Sequence, residues 1–223
     1  MSRFFLTTVL AGGVLLAGLG TMNSYADNPM PRAPSSYAMA EPMAVEQRVA
    51  LVIGNAAYKT SPLSNPVNDA GDMAAKLTKL GFDVTLKTNA GQREMNRAIT
   101  EFGERLKPGG VALFYYAGHG IQAKGRNYLI PVDADIKSAS SIFSEAVDVD
   151  QLLEQLAPAR VSMVLLDACR NNPFERSFRG SAGGLAQIDA PKGTFIAYAT
   201  SPGKVAADGE GRNGLYTSQR FRA

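Results

Sequence analysis

The stretch that decides the reading is Val161-Ser-Met-Val-Leu-Leu-Asp-Ala-Cys-Arg-Asn-Asn172. Val161 to Leu166 is an apolar run with the length and composition of a buried strand. It then turns polar, setting Asp167, Cys169 and Arg170 at or past the strand's end, and Cys169 is the only cysteine in the 223 residues. The only histidine, His119, lies 50 residues earlier in Val111-Ala-Leu-Phe-Tyr-Tyr-Ala-Gly-His-Gly120, a second apolar run breaking into glycines. One thiol and one imidazole, each following a buried-type strand, point to a nucleophile and its base.

The rest of the chain supplies a scaffold for that pair. Arg48 to Gly54 reads as a strand and Asn55 to Asn65 as a polar loop. Asn65-Pro66 opens a helix whose apolar positions Ala70, Met73, Ala74, Leu77 and Leu80 recur at helical spacing, with Gly81 as the stop. Phe82 to Lys87 is a second strand. Met95, Ala98, Ile99, Phe102 and Leu106 mark a second helix, ended by Pro108-Gly109-Gly110. The third strand, Val111 to Tyr116, leads into Gly118-His119-Gly120, and an irregular segment containing Tyr128 to Asp135 follows. A helix follows from about Val149 to Leu156, with Asp148 and Gln151 as a capping box. Gly193 to Ala199 is the fifth strand. Strands alternating with helices predict an α/β fold with a mainly parallel sheet covered on both faces, and in such sheets sites lie at the carboxyl ends of strands. His119 and Cys169 are expected at those ends on neighbouring strands.

Composition excludes several classes. With 45% hydrophobic and 19% charged residues the chain is not disordered in bulk. A formal charge of +3 with no Lys/Arg run or basic–aromatic stripe gives no support to nucleic-acid binding. A single cysteine excludes an internal disulfide, and one cysteine with one histidine does not make a zinc site. Arg3, the apolar run Phe4 to Gly20 and Ser24-Tyr25-Ala26 read as a signal peptide over residues 1–26, an uncleaved anchor being the alternative. Residues 27–46, rich in Pro, Ser, Ala and Met, read as a flexible leader to a domain over 47–223. The expectation is a periplasmic or secreted protein with no stable membrane association once the signal is cleaved. In that compartment a lone cysteine points to reactivity.

A thiol near pKa 8.5 is mostly protonated at neutral pH, so a cysteine nucleophile needs a base such as His119, which can later return the proton to a leaving amine. Backbone N–H groups of Gly120 and Cys169 are natural donors to a developing oxyanion. Taken alone, Cys169 could equally be a small buried hydrophobe and His119 a satisfied loop residue; their paired placement favours chemistry.

These residues carry a resemblance. Asp167-Ala-Cys-Arg170 shares its centre with the caspase signature, Tyr115-Tyr-Ala-Gly-His-Gly120 resembles the His-Gly segment of caspases and metacaspases, and Pro66-Val-Asn-Asp-Ala70 resembles a metacaspase segment. From about Arg48 to Tyr216 the chain resembles a bacterial caspase-like cysteine peptidase of the metacaspase and orthocaspase group. The resemblance implies a three-layer α/β/α caspase-like (caspase–hemoglobinase) fold with sheet order 2-1-3-4-5-6, the last strand antiparallel. It also implies a Cys169–His119 dyad cleaving protein or peptide substrates after Arg or Lys. The acidic pocket residues of that group match Asp69 and Asp167 here, and a carboxylate pair suits a guanidinium or ammonium group. For Asp69 the plainer reading is an acid favoured by the helix dipole, and for Asp167 a strand-end residue bonding local backbone.

The chain departs from the pattern at Ala117, where metacaspases carry a pocket serine, and at Pro66, which replaces a cysteine. No cofactor is required by the resemblance, although some members use calcium; the acids in the comparable stretch are Asp133, Asp148 and Asp150. Arg176 and Arg179, in the glycine-rich loop 171–189, are the candidate autocleavage sites. Gly214 to Ser218 reads as the opening of a helix, after which the family's remaining elements are not evident, so the C-terminal part is expected to be truncated. The fifth strand would then be an edge for a partner to cover. That expectation keeps a second function in view, a catalytically weak caspase-like module acting by binding.

Overall fold

The computed structural model describes residues 46–169 and 185–199. The signal peptide, all but the last residue of the leader, Arg176, Arg179 and the Gly214–Ser218 helix opening lie outside the described residues. Elements run β1 (Arg48–Gly54), α1 (Pro66–Lys79), β2 (Asp83–Thr88), α2 (Gln92–Arg105), β3 (Val111–Ala123), β4 (Arg126–Leu129), α3 (Ile142–Glu145), β5 (Val147–Asp148), α4 (Val149–Gln155), β6 (Val161–Cys169) and β7 (Thr194–Tyr198). The main sheet has the order β2-β1-β3-β6-β7, with every pairing parallel. Among the described residues β7 pairs with β6 alone.

Strand alternation builds the three layers. Val49, Leu51 and Ile53 of β1, Phe114 and Tyr116 of β3 and Val164 and Leu166 of β6 face one side. There Met95, Ala98, Ile99 and Phe102 of α2 and Val149 and Leu152 of α4 cover them. The intervening residues Ala50, Val52, Leu113, Tyr115 and Ala117 face the other side, under Ala70, Met73, Ala74 and Leu77 of α1. Strands covered on both faces read as continuous apolar runs, which is why β1, β3 and β6 stand out in the sequence. Each fully buried large side chain in these layers contributes about 1.5–3 kcal/mol by leaving water.

Helix α1 starts at Pro66, whose missing N–H costs nothing in the first turn. Asp69 lies in that turn and Lys76 and Lys79 in the last, both matching the helix dipole. Gly81, at φ 80, ends the helix and turns the chain into β2. Asn65 precedes the helix but makes no side-chain cap.

The structure corrects the sequence reading between 117 and 148. Strand β3 does not stop at Tyr116. It leaves β1 after Ala117 and continues to Ala123, still paired with β6 as far as His119. It then turns through Lys124 and Gly125 into β4, which pairs antiparallel with β3 and with β5. The segment expected to be irregular therefore holds two strands and the one-turn α3. His119 lies within a strand, and past the end of β1, because its outer neighbour there is the returning β4 hairpin. The helix expected near Val149 is present, and its cap is Asp148, whose side chain accepts from Asp150 N–H at 2.9 Å. Gln151 takes no part in that cap bond. Among the described residues no helix is long and apolar enough to cross a membrane.

Candidate active site

His119 is 3% exposed and is held through its main chain and its ring. Its N–H donates to the Tyr58 hydroxyl at 2.9 Å. Its carbonyl accepts from the Tyr116 hydroxyl at 2.8 Å and from Ile130 N–H at 3.0 Å. The two tyrosine hydroxyls are 3.2 Å apart and both lie within 3.1 Å of the Ile130 carbonyl. The Tyr58 ring also packs against the imidazole, with centroids 4.4 Å apart and planes inclined at 48°. Gly118 makes this possible: a Cβ there would lie 2.6 Å from the Tyr58 hydroxyl and 2.7 Å from that of Tyr116.

On the ring, Nε2 is 2.7 Å from the Ser61 carbonyl oxygen. A carbonyl can only accept, so Nε2 carries the proton, and in the neutral ring the basic nitrogen is Nδ1, which is fully buried. Ser61 holds its carbonyl there with φ 56, a left-handed conformation unusual for a residue other than glycine.

The loop carrying Tyr58 and Ser61 is fixed at its base by two asparagines. Asn55, wholly buried, accepts from Ala90 N–H at 2.9 Å and donates to the carbonyls of Ala90 at 3.2 Å and Ile130 at 3.3 Å. Asn89, at φ 52, accepts through one side-chain oxygen from the N–H groups of Ala56 and Ala57, each at 2.9 Å. A polar loop over buried surface satisfies its backbone in this way or not at all.

Cys169 is the last residue of β6 and is the register partner of His119 on the adjacent parallel strand. The two chemically distinctive residues are thus brought side by side by strand pairing. Asp167 pairs in register with Ala117 and shares the α1 side of the sheet with Met163 and Leu165; the Tyr115 hydroxyl donates to it at 3.4 Å. Asp69, 3% exposed, lies on the buried stripe of α1 with Ala70 and Met73, over the same face. Gly120 is the register partner of Leu129, and its Cα face is close to Ala168 and Leu185.

The three acids of the calcium stretch each have a protein partner. Asp133 caps the start of α2, accepting from Gln92 N–H at 2.9 Å. Asp148 and Asp150 both bind Arg126, at 2.7 and 2.8 Å. The Asp150 hydrogen bond and the Asp148 charge raise the pKa of that guanidinium above its usual value. Burial, followed by the Asp148 charge, raises the Tyr128 phenol above 10.0, with Arg126 opposing. Among the described residues no group of three or more His, Cys, Asp or Glu side chains is placed to hold a metal ion.

Sequence reasoning missed Tyr58, Tyr116 and the Ser61 carbonyl. The adjacent tyrosines before Gly118 were visible as strand residues only, and a backbone carbonyl has no sequence signature.

Comparison with known proteins bears on the same region. The caspase domain profile matches residues 47–220. Human mucosa-associated lymphoid tissue lymphoma translocation protein 1 is 33% identical over 131 residues, 58% of this chain, and so is its mouse homolog. The matched region spans only 16% of the length of each of those relatives. The crystal structure of protein GSU0716 from Geobacter sulfurreducens superposes with a TM-score of 0.59 and 20% identity, covering 79% of this chain and 81% of that one, a likeness of fold. With the profile covering the whole sheet and both strands that carry His119 and Cys169, the chain belongs to the caspase domain family.

Proposed function

We propose that this chain is an exported cysteine endopeptidase that cleaves peptide bonds after Arg or Lys. The observation that carries the reading is the register pairing of His119 with Cys169 on neighbouring strands. Membership of the caspase domain family supports cysteine-peptidase chemistry in general. In the proposed reaction Nδ1 of His119 takes the thiol proton, and Sγ of Cys169 attacks the scissile carbonyl carbon. The resulting oxyanion is stabilised by the N–H groups of Gly120 and Cys169. His119 returns its proton to the leaving amine as the C–N bond breaks, leaving a thioester that water hydrolyses to free acid and thiol. The Ser61 carbonyl supports this cycle by accepting from Nε2–H in both the neutral and the charged ring.

The specificity we assign to Asp69 and Asp167. A buried carboxylate on α1 and a half-buried one at the end of β6, over the same face, suit the cation of a substrate Arg or Lys. Ala117, beside Asp167, adds no hydroxyl to that pocket. No metal is invoked, and cleavage of the chain itself after Arg176 or Arg179 would follow from the same specificity.

The test is turnover of fluorogenic peptides ending in Arg, Lys or Asp by wild type, Cys169→Ala, Asp69→Asn and Asp167→Asn. Arg and Lys peptides are expected to be cut by wild type and not by Cys169→Ala, with either Asn variant losing at least about tenfold in kcat/KM. Absence of Cys169-dependent turnover would refute the peptidase and favour a binding module; a preference for Asp would refute the pocket.

A further inference from the structure

We infer that Tyr58 and Tyr116 are positioning residues, a pair of hydroxyls that sets His119 as the base for Cys169. The inference rests on the dyad reading and adds to it two side chains that do not themselves meet the substrate.

His119 sits where an ordinary strand could not fix it. Its N–H is satisfied by a side chain, the Tyr58 hydroxyl, and its carbonyl is shared between the Tyr116 hydroxyl and Ile130 N–H. The strand has left β1 two residues earlier, so β1 no longer pairs with it there, and Ile130 N–H is the backbone group that reaches its carbonyl. The tyrosines complete this set from two different elements: Tyr58 comes from the loop after β1, and Tyr116 from β3 itself. Their hydroxyls meet each other and the Ile130 carbonyl, which joins the loop, the strand and the β4 exit into one hydrogen-bonded unit. Buried hydrogen-bond networks of this kind are rigid when fully satisfied.

The geometry aims that rigidity at the ring. Tyr58 holds the His119 N–H with its oxygen and lies against the imidazole with its ring. Three residues along the same loop, Ser61 accepts from Nε2. A displacement of Tyr58 therefore moves ring and carbonyl acceptor apart. The Nε2–H···O=C bond favours the imidazolium that forms when Cys169 gives up its proton. Weakening it makes His119 a poorer base and the thiol harder to ionise. Gly118 belongs to the same device, since a methyl group there would press on both hydroxyls at once.

Because Cys169 is the only cysteine, its ionisation can be followed in the full chain by the rate of iodoacetamide alkylation against pH, without any substrate. In wild type the midpoint should lie below the free-thiol value of about 8.5, and His119→Ala should abolish that depression. Tyr58→Phe and Tyr116→Phe keep the rings and remove the hydroxyls; each should move the midpoint up by about 0.5–1 unit and lower kcat about tenfold with KM within about twofold. Gly118→Ala should do the same with both hydroxyls present, which covers the case of a tyrosine variant that fails to fold. A merely structural role would lower the melting temperature and leave the midpoint of the folded protein unmoved. Alkylation profiles of all three variants superimposing on wild type, while His119→Ala differs, would overturn the positioning role and leave the dyad standing. Wild type and His119→Ala superimposing would overturn both.

Discussion

The carbonyl oxygen of Ser61 stands 2.7 Å from Nε2 of His119, and Ser61 adopts φ 56 to place it there. A left-handed residue other than glycine costs on the order of 1 kcal/mol or more, offset here by the surrounding loop. Glycine tolerates that conformation without a side-chain clash, whereas a β-branched residue does not. Ser61→Gly should therefore retain wild-type kcat/KM on an Arg peptide within about twofold, and Ser61→Val should lose about tenfold or more as the carbonyl swings off the imidazole. Steady-state kinetics on the two variants checks this. Equal activity in Ser61→Val would mean that the acceptor is dispensable.

Gly54 closes β1 directly beneath the start of α1. A Cβ at this position would lie 2.6 Å from the Ala70 Cβ and would run into the Pro66 carbonyl oxygen. Both obstacles are fixed, one a backbone oxygen of the helix and one a β-carbon on its buried face, so the helix must move outward. Gly54→Ala should destabilise the domain by about 1–3 kcal/mol, measured by urea unfolding. Asp69 lies one residue before Ala70, so the same shift should weaken cleavage of Arg substrates through KM more than kcat.

Tyr128 gives the chain an alkaline limit. Its phenol is 2% exposed; burial first and the Asp148 carboxylate second raise its pKa above 10.0 in the folded state. The folded protein thus holds this proton more tightly than the unfolded chain does. The associated stability is fully present below pH 10 and is lost as pH rises through the folded value. Melting temperature measured from pH 8 to 11 should fall more steeply above pH 10 in wild type than in Tyr128→Phe. Parallel curves would exclude Tyr128 as the cause.

Much of this architecture was legible in the sequence because burial on both faces writes a simple code. β1 has the bounds that its apolar run indicates, and α1 begins at the proline that marks it. The apolar run from Val161 marks β6, and the strand continues beyond Leu166 to end at Cys169. The extension of β3 beyond Tyr116 was not legible, because Gly118, His119 and Gly120 carry no strand preference; pairing with β6 and the β4 hairpin imposes it. The same limit hid the loop's contribution. Asn55 to Asn65 reads as a polar connection, and only the folded chain shows that its tyrosine and one of its carbonyls converge on the histidine.

Asn55 carries the last prediction, since it ties that loop to the rest of the domain. Its Oδ1 accepts from Ala90 N–H, while its Nδ2 is placed between the carbonyls of Ala90 and Ile130 with the Met95 sulfur 3.4 Å away. Ile130 is also where the Tyr58 and Tyr116 hydroxyls meet. Asn55→Ala takes the acceptor from the buried Ala90 N–H, at about 1–3 kcal/mol, while the carbonyls of Ala90 and Ile130 keep Val132 N–H and the tyrosine hydroxyls. Asn55→Asp is nearly the same shape but replaces the donor by an oxygen facing two carbonyls, and it places a carboxylate at a site with no exposure. The isosteric change should therefore be the more damaging of the two, despite filling the space that alanine leaves empty. Urea unfolding of both variants at pH 7 decides it. If Asn55→Asp proves the more stable, then packing at this position outweighs the donor, and the asparagine is not what holds the loop.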